Sequence, residues 1–94
     1  MQFTVHVTRG VRTLLTILPG EALFLGRDSG QCQYILRDSS VSRRHCKLSV
    51  FGDKAWVEDL GSTNGTWVNG ERTENALLSA GDVVAVGHSR IVVG

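Results

Sequence analysis

Ser42-Arg43-Arg44-His45 places a hydroxyl three residues ahead of an imidazole. Such a pair is the start of a nucleophilic site, in which the imidazole takes the serine proton. The remainder of that chemistry does not follow in the sequence. There is no G-x-S-x-G elbow, and Asp38 and Asp59 stand in turn-like contexts where Asp commonly caps backbone amides. No catalytic residue and no enzyme activity are expected.

The same residues suit anion recognition better. A phosphomonoester near neutral pH carries about −1.5 to −2 charges and three acceptor oxygens. Arg27, after Gly26 at the end of an apolar stretch, offers a planar fork of N–H donors. Ser42 offers a hydroxyl and a backbone N–H, and Arg43 another backbone N–H and its side chain. Charge-assisted bonds contribute about 1.5–3 kcal/mol each, so three supply much of the roughly 8 kcal/mol of a micromolar affinity. A third loop, Gly61 to Thr66, contains Asn64, whose amide can donate to and accept from an extended peptide backbone. Alone, Asn64-Gly65 reads more readily as a tight turn that uses positive φ, and the two other loops beside it turn the balance towards binding.

These loops need a scaffold, and the remaining residues describe one. Alternation runs through Phe3, Val5 and Val7, then places Leu14, Thr16 and Leu18 on one face and Leu15 and Ile17 on the other. Further strand-length stretches are Ala22 to Leu25, Tyr34 to Leu36, Cys46 to Val50, Ala55 to Val57, Thr66 to Val68, Val83 to Val86 and Ile91 to Val93. No helical period runs through any of them. Turns are expected at Pro19-Gly20, around Gly52-Asp53, at Asn69-Gly70 (a hairpin signal) and at Gly81-Asp82. Strand after strand at this spacing predicts an all-β sandwich or barrel whose loops collect at the ends.

Bulk properties narrow the function. Ninety-four residues allow one modest core, so residues 1–94 are expected to form a single domain of the size also found within longer proteins. Ten Lys plus Arg against nine Asp plus Glu leave a net charge of +1, which does not suit a binder of duplex nucleic acid. Arg37, Arg43, Arg44 and Lys47 nevertheless fall close together, a local cationic cluster suited to one small anion. Cys32 and Cys46 lack the spacing of a zinc site, and Cys46 reads as a core thiol. No metal, cofactor or membrane partner is expected. The absence of a signal-like or membrane-spanning apolar run predicts a cytoplasmic location, or a nuclear one in a eukaryote. Trp56 and Trp67 are expected to pack on the sheets.

The order Gly26-Arg27, Ser42-Arg43-Arg44-His45, Asp59 to Thr66, then Val68-Asn69-Gly70 resembles the forkhead-associated (FHA) family, over nearly the whole chain. Gly81-Asp82 and Gly87 also fit its C-terminal part. The resemblance implies an eleven-stranded sandwich of two antiparallel sheets that binds phosphothreonine-containing peptides with loops at one end. On matching positions it implies phosphate binding by Arg27, Ser42 and Arg43. Thr63 and Asn64 would serve the peptide, while Gly26, His45 and Gly65 would support the site. The partner would be a protein phosphorylated by a Ser/Thr kinase. Preference for threonine over serine has a physical basis in one buried methyl, about 0.8 kcal/mol. Preference at the third residue beyond it is expected from Asp38 to Val41 and Gly87 to Arg90, with Arg90 hinting at an acidic partner. The alternative is an FHA-like scaffold or self-association domain that ignores phosphate.

Overall fold

A computed structural model of the protein describes residues 1–6 and 12–94. The strands are β1 (Gln2–His6), β2 (Arg12–Thr16), β3 (Ala22–Gly26), β4 (Tyr34–Ile35), β5 (Cys46–Phe51) and β6 (Lys54–Asp59). They continue as β7 (Thr66–Val68), β8 (Glu71–Thr73), β9 (Asn75–Leu78), β10 (Val83–Val86) and β11 (Ser89–Val93). One sheet has the order β2-β1-β11-β10-β7-β8 and the other β4-β3-β5-β6-β9. The pairings are antiparallel except for the short β3–β4 contact, where Leu25 and Gly26 run parallel to Tyr34 and Ile35. The expected all-β, two-sheet sandwich is what the chain forms.

Alternation decides which side chains meet between the sheets. Phe3 and Val5 of β1, Val84 and Val86 of β10, and Ile91 and Val93 of β11 point inward and are buried. From the other sheet come Leu25, Cys46, Leu48, Val50, Ala55, Val57 and Leu78. Of the two faces read in the Leu14 to Leu18 segment, Ile17 lies in the core while Leu14 and Leu18 are exposed. Val7, the third inward position read from the sequence, lies outside the described residues. Burial pushes the Cys46 thiol up to about 12, with Asp59 and Cys32 adding to the rise, as suits a core thiol.

The Asn69-Gly70 turn has φ of 50° and 85°. Positive φ at both central positions matches the right-handed twist of the flanking strands and closes the β7–β8 hairpin. At the opposite end of β7 lie the Gly61 to Gly65 loop and the turn between β10 and β11. The β3 end and the approach to β5 meet there too.

Candidate functional site

Gly26 ends β3 with Arg27 immediately after it. A Cβ on Gly26 would lie 2.1 Å from the Arg43 carbonyl oxygen and 2.9 Å from Cys32 Sγ. Only glycine admits that approach of two backbones. The Arg43 carbonyl also accepts from the Asp28 N–H at 3.0 Å and from the Cys32 thiol at 3.1 Å. Beside it, the Arg27 N–H donates to the Ser42 carbonyl at 3.1 Å. Arg27 Nε donates to the Val41 carbonyl, orienting an otherwise exposed guanidinium along the 38–43 loop.

Ser42 is held from two directions. Its backbone N–H donates to His45 Nδ1 at 3.0 Å, and its Oγ accepts from the Thr63 N–H at 3.0 Å. His45 is fully buried, and its Nε2 stands 2.8 Å from the Gly65 carbonyl. An amide N–H can only donate and a carbonyl only accept, so Nδ1 carries the lone pair and Nε2 the proton. With both ring nitrogens engaged by backbone, His45 ties two loops together and is not the base of a Ser–His pair.

Asp59 organises the third loop. Its Oδ2 accepts from the N–H groups of Gly61 at 3.1 Å and Ser62 at 3.2 Å. Its Oδ1 accepts from Ser62 Oγ and from Thr66 Oγ1 at 2.7 Å. Burial alone would raise the Asp59 carboxyl, but these bonds prevail and hold it below its ordinary value. Gly65, at φ 87°, donates its N–H to Ser62 Oγ at 3.0 Å. Asn64 is exposed, and its Nδ2 donates to the Ser40 carbonyl at 2.9 Å.

Arg27, Ser42, Arg43, Thr63 and Asn64 line one cleft of about 300 Å³, together with Ser39, Ser40 and Val41. All five contact positions expected from the sequence are thus gathered, and Gly26, His45 and Gly65 lie beneath them. The cationic cluster, in contrast, divides. Arg43 lines the cleft, whereas Arg44 lies 4.5 Å and Lys47 5.7 Å from the centre of the Phe24 ring on the five-stranded sheet. Arg43 and Arg44 lie in the bend that precedes β5, and Lys47 on β5 itself, so neighbours that look like one patch in sequence are turned apart where the loop enters the strand.

Asp38, read from the sequence as a turn cap, and His88, within the expected variable loop Gly87 to Arg90, also shape the cleft through Ser40. Asp38 Oδ1 accepts from the Ser40 N–H at 2.9 Å, and its Oδ2 from the His88 N–H at 2.8 Å and Ser89 Oγ at 2.9 Å. The carboxyl is raised by burial and lowered more by these bonds, with a net fall. His88 Nδ1 lies 3.0 Å from Ser40 Oγ. The Asp38-Ser39-Ser40 turn was a readable signal, but its partners fifty residues later were not.

The family model described as FHA domain matches residues 23–87. The chain belongs to the FHA domain family. Among relatives, FHA domain-containing protein FhaA of Mycobacterium tuberculosis is 46% identical over 61 residues, covering 65% of this chain and 12% of FhaA. An FHA domain structure determined in work on phosphothreonine-dependent FHA domain interactions has a TM-score of 0.83 at 35% identity, covering 98% of this chain and 94% of the other. The FHA domain of CT664 from Chlamydia trachomatis has a TM-score of 0.88 at 29% identity, covering 100% and 98%. This FHA chain spans 12%, 36% and 40% of the first three curated relatives it matches.

Proposed function

We propose that this FHA domain is a non-enzymatic module that binds phosphothreonine-bearing segments of partner proteins in the 300 Å³ cleft. The observation that carries this reading is the make-up of the cleft. Its lining contains two arginines, three serines, a threonine and an asparagine, and no carboxylate. A dianion entering it meets donors and positive charge without like-charge repulsion. In this reading Arg27, Ser42 and Arg43 hold the phosphate, and Thr63 and Asn64 serve the peptide. Asn64 would take a peptide group as it now takes the Ser40 carbonyl. Residues 1–94 act as one domain, in the cytoplasm, on the product of a Ser/Thr kinase. No described helix is long and apolar enough to cross a membrane.

The test is a titration of a phosphothreonine peptide beside its unphosphorylated twin. Saturable binding of the first alone is expected. Equal binding of both, however weak, would overturn the reading in favour of a phosphate-independent scaffold.

A further inference from the structure

The registers of the six-stranded sheet bring six distant residues into one row. Arg12 pairs with His6, His6 with Arg90, Arg90 with Ala85, Ala85 with Trp67 and Trp67 with Arg72. Directly opposed residues share a face, and the alternate residues Val5, Ile91, Val84, Val86 and Thr66 fill the core. The row therefore lies on the outer face. Arg12, Arg72 and Arg90 are exposed, and Trp67 is 38% exposed. Among the described strand positions of this outer face there is no Asp or Glu. Among the described residues no acidic group forms an ion pair with any of these three arginines.

The row adjoins the cleft. Trp67 Nε1 donates to the carbonyl of Asn64, a cleft residue, at 3.1 Å. Arg72 is laid against Gly65, where an added Cβ would come within 2.7 Å of its Nε. On the other side, His88 contacts the cleft residue Ser40 two positions before Arg90. Five interstrand steps of about 4.8 Å make the row about 24 Å long, the span of about seven extended residues.

We infer that this row is a second binding surface, taking an acidic, extended segment of the same phosphorylated partner. The inference rests on the proposed function for the phosphate end of that partner. A carboxylate-rich chain fits because the arginines are spaced in single file across the sheet and present forked donors. Trp67 adds an apolar and π surface against which such a chain can lie. A nucleic acid would instead find the chain as a whole nearly neutral, with a net charge of +1.

The test uses a phosphothreonine peptide with alanine flanks, extended on either side by a run of glutamates or of glutamines. At low salt the glutamate peptide of one polarity is expected to bind about tenfold tighter than its glutamine twin, an advantage that about 0.5 M salt removes. Arg12→Gln/Arg72→Gln should erase the advantage while leaving the unextended phosphopeptide bound as before. Equal affinity of the glutamate and glutamine peptides, or an advantage that survives in the double variant, overturns the inference. The Arg12 Nε–H resonance, followed with an unphosphorylated glutamate peptide, reads the surface at the end of the row opposite the Asn64-bonded Trp67. If the unextended phosphopeptide fails to bind while this resonance still moves, the cleft reading fails and the surface stands. Duplex DNA or phosphatidylserine vesicles that bind the row more tightly than the glutamate peptide would overturn the choice of partner.

Discussion

Ser42 and His45 are joined through the serine's amide: its N–H donates to Nδ1 at 3.0 Å, while Ser42 Oγ accepts from Thr63. Because the opposite ring nitrogen holds Gly65, one imidazole sets the spacing of the two loops that form the cleft. His45→Ala removes a fully buried ring and leaves two backbone groups without their partners. A loss of about 3 kcal/mol is expected, lowering the melting temperature of a domain this size by 10 °C or more. Thermal unfolding followed by circular dichroism checks this, and a variant as stable as the parent would remove the buttress role.

Arg27 and Asn64 should behave differently from His45 because both are exposed and neither fills the core. Arg27→Ala should weaken phosphopeptide binding by a hundredfold or more, about 3 kcal/mol, with little change in melting temperature. Asn64→Ala should weaken it by about tenfold, the scale of one or two neutral hydrogen bonds. Isothermal titration against the same peptide measures both. If Arg27→Ala bound as tightly as the parent, the phosphate would have to lie elsewhere.

Gly26→Ala tests the closest approach in the site. The new methyl would lie 2.1 Å from the Arg43 carbonyl oxygen and 2.7 Å from its carbon, both backbone atoms that no rotamer change can clear. The 42–43 backbone must shift, breaking the bonds it receives from Arg27, Asp28 and Cys32. Destabilisation of about 3 kcal/mol or more is expected, with phosphopeptide binding lost alongside. Native-like melting would show that the loop tolerates displacement.

Asp59 gives the domain an acid-sensitive element. Its carboxyl lies below the ordinary value of 3.8, because hydrogen bonds to the charged form outweigh burial. A depressed folded-state value means stability that is present above 3.8 and lost as pH falls through the folded value. Asp59→Asn should therefore melt well below the parent at neutral pH, and the gap should narrow as pH drops below about 4. Paired melting curves across that range check the sign. A gap that widened with acid would contradict the assignment of Asp59 as the charged acceptor.

Much of the fold could be read locally. Phe3 with Val5, Cys46 to Val50 and Val83 to Val86 announce their strands because alternation is a property of neighbours. β9 went unread because Asn75–Leu78 buries only Leu78 fully, and β8 was legible only as the sequel to the Asn69-Gly70 turn. The site residues were legible as types in order, and the FHA resemblance supplied the roles proposed for them.

The sequence by itself determined the element type, the turns and the identity of the cleft's donors, since each depends on residue chemistry within a few positions. Tertiary structure decided which of those groups meet. Asp38 finds His88 and Ser89 fifty residues on. Arg44 and Lys47 leave Arg43 for Phe24. Arg12, Arg90 and Arg72 fall into one row only through strand pairings that join opposite ends of the chain. Register and sheet order arise from burying one face of every strand at once, and no single stretch of residues contains that information.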